Sequence, residues 1–135
     1  MKVLSLKKEV VKRIYIIGLF ILGTMGIHAQ THDVKVKVNG IRSETGNILI
    51  MAQKDKESQP IYSSVRAKRG QVTLLLKGLT EEKYMLSVFH DENSNWQLDM
   101  NEQKQPLEGV AQCYYQVEPG KSACEMTLYY LPNPE

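Results

Sequence analysis

Val34, Val36 and Val38 alternate with Lys35 and Lys37, which predicts a strand with branched apolar side chains on one face and ammonium groups on the other. Asn39-Gly40 and Ser43-Glu44-Thr45-Gly46-Asn47 supply turn residues, and Ile48-Leu49-Ile50-Met51-Ala52 follows as a second, more fully buried strand. These two elements are expected to be hairpin-like neighbours. Pro60 interrupts pairing ahead of a weak edge-like stretch from Ile61 to Ala67. Beyond Gly70, the positions Val72, Leu74 and Leu76 set the period of another strand, which Gly78 ends.

The next strand runs from Tyr84 to His90, after Leu79-Thr80-Glu81-Glu82-Lys83. Tyr84 has two readings: a core aromatic, or a corner tyrosine whose hydroxyl bonds back to the preceding turn. Val110 to Val117 and Ala123 to Leu131 flank Glu118-Pro119-Gly120-Lys121 and read as a closing hairpin. About seven short strands, with no helical period after Ala29, predict an all-β fold, an antiparallel two-sheet sandwich.

The first thirty residues follow a different pattern. Lys2, Lys7, Lys8, Lys12 and Arg13 precede the apolar run Ile14-Tyr15-Ile16-Ile17-Gly18-Leu19-Phe20-Ile21-Leu22-Gly23, the order of a secretory signal. The run extends to Ile27 at most, short of the ~20 residues of a comfortable membrane span. Residues 1–29 are therefore expected to be a signal peptide and residues 30–135 a single β-sandwich domain, periplasmic or secreted, with no stable membrane span after cleavage. No Cys stands near the junction to take a lipid.

Cleavage also inverts the charge. The signal takes five of the seventeen Lys and Arg and one of the fifteen Asp and Glu, leaving twelve against fourteen and a net charge of −2. No basic patch remains to suggest nucleic acid as a partner. Cys113 and Cys124 lie in the two arms of the expected hairpin, in an exported chain where disulfides persist. They are expected either to bond, in a register that sets them opposite one another, or to remain buried free thiols.

One constellation carries possible chemistry. Counting Asp91 as the first position, oxygen side chains recur at Asn93, Asn95, Asp99 and Glu102, the third, fifth, ninth and twelfth, with the carbonyl of Gln97 at the seventh. That is the ligand spacing of a Ca²⁺ loop, in which a hard cation collects six to eight oxygens from a tightly curled chain. The sixth position is normally Gly and here is Trp96, for which positive φ is costly. The other reading is an Asn-rich turn whose side chains bond the local backbone.

The stretches Val36-Lys37-Val38-Asn39-Gly40-Ile41-Arg42-Ser43 with Gly46, Gly78-Leu79 through Tyr84, and Val88-Phe89-His90-Asp91-Glu92-Asn93-Ser94-Asn95 with Leu98-Asp99 carry a resemblance. Over roughly Val34 to Leu131 the chain resembles the exported bacterial domain-of-unknown-function family 2141. The resemblance implies a signal peptide and an immunoglobulin-like or transthyretin-like sandwich, and it implies no activity. The family's usual loop has Gly in place of Trp96, and its Gly- and aromatic-rich stretch is shortened here around Pro106 to Gly109.

The chain has no His-Glu-x-x-His zinc motif, no phosphate-cradling Gly loop and no Gly-x-Ser-x-Gly nucleophile turn. The expected function is therefore a non-catalytic module of the cell envelope, binding an envelope or extracellular protein or glycan, with Ca²⁺ as its one candidate cofactor. The alternative is a hydrolase using the carboxylates Asp91, Asp99 and Glu102 beside His90, which requires an environment that separates their pKa values.

Overall fold

The computed structural model describes residues 30–132. The expected signal peptide lies outside the described residues. Seven strands follow in order: β1 (His32–Ile41), β2 (Asn47–Gln53), β3 (Ile61–Arg66), β4 (Gly70–Leu79), β5 (Lys83–Asp91), β6 (Val110–Gln116) and β7 (Ala123–Thr127). They form a three-stranded sheet in the order β4-β1-β7 and a four-stranded sheet in the order β3-β2-β5-β6. The fold is the expected all-β two-sheet sandwich. Among the described residues, no helix is long and apolar enough to cross a membrane.

The inward faces are those set by the period of two. Val34, Val36 and Val38 of β1 stand opposite Leu76, Leu74 and Val72 of β4, and Ile48, Ile50 and Ala52 of β2 stand opposite His90, Val88 and Leu86 of β5. All but Val72 of these apolar side chains are fully or almost fully buried, and each of the larger ones stabilises the fold by about 1.5–3 kcal/mol relative to exposure. Tyr84 takes the corner role: its hydroxyl accepts from the N–H of Thr80 at 3.0 Å while its ring is buried.

Two expected pairings are corrected. β1 and β2 are not hairpin neighbours but belong to different sheets, because the two apolar faces that the strand period creates bury each other across the sandwich rather than side by side. The closing hairpin is also absent. The turn at Glu118–Lys121 does form, with the N–H of Lys121 donating to the Glu118 carbonyl, but the next residue, Ser122, accepts from Lys35. That bond diverts the chain onto β1, which β7 joins in parallel, with Cys124 opposite Val36.

The disulfide expectation depended on the hairpin. Cys113 now faces inward from β6 and Cys124 from β7, on edge strands of different sheets, and both are free thiols. Burial raises both, with Cys124 pushed up to about 11, so neither is a ready thiolate at neutral pH.

Leu86 is fully buried on β5, between β2 and β6. Leu86→Ala is expected to cost about 3 kcal/mol in urea unfolding, whereas Lys37→Ala on the solvated face is expected to change stability by less than about 0.5 kcal/mol.

Candidate functional site

The strand period that buries Tyr84, Leu86 and Val88 also carries His90 into the interior, where it has no exposed surface. A buried imidazole must find partners for both nitrogens. Nε2 lies 2.7 Å from the Thr45 carbonyl oxygen, which can only accept, so Nε2 carries a proton. Nδ1 lies 2.7 Å from the Tyr130 hydroxyl. That hydroxyl accepts from the N–H of Arg42 at 3.1 Å and is free to donate to Nδ1. His90 therefore ties the β1–β2 turn and the C-terminal segment to the end of β5.

Two glycines make the approach possible. Gly46 has φ of +78°, and a Cβ there would sit 2.0 Å from the Asp91 carbonyl oxygen, so only Gly lets the turn lie against β5. At Gly109 a Cβ would meet the Tyr130 ring at 2.5 Å. The Arg42 guanidinium lies over the same ring, 4.4 Å from its centroid. It also grips Glu92 with two hydrogen bonds of 2.6 and 3.0 Å, and Ser43 donates to Glu92 as well. The Arg42 bonds, ahead of that from Ser43, hold the Glu92 carboxyl below its ordinary value.

The loop after β5 rests on this base. Asp91, also without exposed surface, accepts from the backbone N–H of Asn95 at 3.2 Å and of Trp96 at 2.8 Å. The oxygens of Asn93 and Asn95 accept from the N–H groups of Asn95 and Gln97. Their amide nitrogens donate to the two oxygens of Asp99 at 2.8 and 2.9 Å. Asp99 is thereby lowered, by Asn95 first and then Asn93. Glu108, 5% exposed, accepts from the N–H groups of Glu92 and Asp99. Burial raises it, and the nearby charges of Asp99 and Asp91 add to the effect.

Of the proposed ion ligands, the structure brings together Asp91, Asn93, Asn95 and Asp99. Gln97 follows them and contributes its N–H to the turn. Glu102 is not part of the group: it is exposed in a separate turn that Asn101 builds by accepting from the N–H groups of Gln103 and Gln105. The buried carboxylate at the base of the loop is Glu108, which accepts from the N–H groups of Glu92 and Asp99. Counting along a twelve-residue loop could not find it, because a second turn intervenes. Among the described residues, no three His, Cys, Asp or Glu side chains gather closely enough to hold a metal ion.

Trp96 contradicts the expected obstacle. It adopts φ of +62°, so the sharp bend usually given to Gly is made here by Trp, held by the bond from its N–H to Asp91. The consequence is exposure: Trp96 is 58% exposed, and Leu98, Met100 and Leu107 of the same loop are also exposed. Of these, Leu107 lines a groove of about 540 Å³, together with residues that include Glu102, Gln105, Pro106, Leu131 and Pro132.

The arrangement offers little to acid–base chemistry. His90 has both nitrogens engaged, Asp91 directs both oxygens to backbone donors, and Glu102 lies in a different turn.

A family model described as an uncharacterized protein conserved in bacteria (DUF2141) matches residues 36–125. No curated protein and no solved structure matches the chain.

The Arg42–Glu92 pair has a definite pH signature. Because Glu92 is lowered in the folded state, its contribution is present above its ordinary value of 4.5 and is lost as pH falls through the lowered folded value. Arg42 is partly exposed and the pair is screened by solvent, so Arg42→Met is expected to remove about 0.5–1 kcal/mol of pH-dependent stability at pH 7, a difference that shrinks towards pH 3 in urea unfolding. Glu108 works with the opposite sign: it is raised in the folded state, so Glu108→Gln removes a gain in stability that appears as pH falls through its raised value.

Proposed function

As this chain belongs to that bacterial family, whose description names no activity, we propose that it is a non-catalytic binding module, exported to the periplasm or secreted. It binds an envelope or extracellular protein or glycan through the loop after β5. One observation carries this reading: Trp96, Leu98, Met100 and Leu107 stand exposed on a loop whose base is fixed by buried hydrogen bonds. Exposed apolar groups gathered on a rigid polar base fit recognition, since little ordering entropy is lost on binding.

Trp96 is the only Trp of the chain, so its fluorescence reports the loop directly. Protein recovered from expression of the full chain is expected to begin at Gln30, and to sediment saturably with either the cell-wall glycan or the membrane-protein fraction of the bacterium that carries it. Its emission should shift to the blue on binding. Trp96→Ser is expected to weaken this at least ~10-fold with an unchanged unfolding midpoint. Binding to neither fraction, or equal binding by the variant, would refute the reading.

A second reading has its own observation. The backbone bends at Trp96 as a Ca²⁺ loop bends at Gly, and Asp91 accepts from the fifth and sixth N–H groups. Asp91, Asn93, Asn95 and Asp99 would supply oxygens, once the two Asn amides turn them away from the backbone. At ~10 mM calcium and a dissociation constant on the order of 1 mM, the ion would add about 1.4 kcal/mol, or ~6 °C in unfolding midpoint. Asp99→Asn should abolish that rise, and identical midpoints in calcium and in chelator would leave the loop a structural turn.

A further inference from the structure

β6 and β7 are pinned to each other at both ends and parted between. At one end the N–H of Lys121 donates to the Glu118 carbonyl at 3.2 Å. At the other, Val110 and Tyr129 exchange both of their backbone hydrogen bonds, at 2.9 and 2.8 Å. The two bridges are antiparallel and fit one register, which sets Cys113 against Met126 and Tyr115 against Cys124. Between the pins β6 pairs with β5 and β7 with β1, leaving a seam between the edges of the two sheets. Residues of the two strands still approach within 8 Å across it, Cα to Cα.

Sulfur gathers along this seam. Cys113 stands opposite buried Leu86, Cys124 opposite buried Val36 and Met126 opposite buried Val38, so all three side chains point into the sandwich from the two sides of the seam. Met126 is buried, and the two cysteines are half-buried against the core. No other sulfur side chain of the described strands faces inward, because Met51 and Met85 alternate with the buried positions of β2 and β5. Burial raises both thiols, and the nearby Cys113 adds to the rise at Cys124. A thiol held protonated is a slow nucleophile and resists oxidation.

We propose that Cys113, Cys124 and Met126 form a site for a soft monovalent metal ion, Cu(I), set across the seam. Two thiolates and a thioether are a donor set that selects Cu(I) and rejects hard cations. Zn²⁺ is served poorly, since it takes four nitrogen, oxygen or thiolate ligands and, among the described residues, no His, Asp or Glu joins the two cysteines. The Tyr115 hydroxyl is already engaged, donating to the Lys121 carbonyl at 3.3 Å. Binding breaks both S–H bonds, forms two Cu–S bonds and releases two protons to water. The thioether adds as a neutral ligand, and the copper remains Cu(I) throughout. The ion ties β6 to β7 midway along the seam, where the strands are not paired.

Anaerobic titration with Cu(I), in competition with a chromophoric Cu(I) chelator, tests this on reduced protein recovered from expression of the full chain. One ion per chain is expected, with X-ray absorption reporting sulfur ligands only and with both thiols protected from alkylation. Cys113→Ser and Cys124→Ser should each surrender the ion to the chelator. Met126→Leu, which nearly conserves volume, should weaken binding at least ~10-fold with unchanged far-ultraviolet circular dichroism, and it decides the matter if the cysteine variants fail to fold. Asp99→Asn should leave copper binding intact, which separates this site from the loop after β5. Loss of all Cu(I) to the chelator would overturn the proposal, as would nitrogen or oxygen ligands on the bound ion, or equal binding by Met126→Leu.

Discussion

An imidazole with no exposed surface at the end of β5 constrains much of what surrounds it. The strand period gives His90 no choice of face, so its two nitrogens must be met by groups brought from elsewhere, at a cost of roughly 1–3 kcal/mol for each left unmet. Thr45 comes from the β1–β2 turn and Tyr130 from the C-terminal segment. Both arrive only because Gly46 can lie against Asp91 and Gly109 leaves room for the Tyr130 ring. Arg42 then closes the assembly by lying over Tyr130 and gripping Glu92.

This assembly gives the following loop its fixed start. Asp91 and Glu92 are adjacent to His90, so the chain leaves the sheet with two carboxylates already placed, one bonded to backbone donors and the other to Arg42. The Asn93–Asn95–Asp99 clip and the Glu108 bonds continue the same principle, in which each polar group near the base is met by a local donor or acceptor. Freed from the base, the apolar side chains of the loop point outward. A polar foundation with an apolar tip is the physical content of the binding proposal. The same clip, with its two amides turned, is the content of the ion reading.

The sandwich carries two unlike outer surfaces on one core. On β1 the lysines alternate with valines and the outer face is solvated. On β2 and β5 both faces are apolar, although only one of them meets the other sheet. Leu49, Met51 and Phe89 stand half-buried on that outer face.

The sequence by itself determined the strands, their inward faces, the corner tyrosine as one of two readings, and the residues of the curled loop, because these depend on local period and turn chemistry. Resemblance identified the family from the Phe-His-Asp-Glu-Asn stretch. Strand partnership was decided only by the tertiary structure: Val36 and Ile50 each need a cover, and nothing local says whether it comes from beside or from across. That choice placed β1 and β2 in different sheets, took β7 away from β6, and left Cys113 and Cys124 unbonded. The partners of His90, the exclusion of Glu102 and the entry of Glu108 were likewise invisible in the chain. Each depends on contacts between residues far apart in sequence or across an intervening turn, whose separation no periodicity encodes.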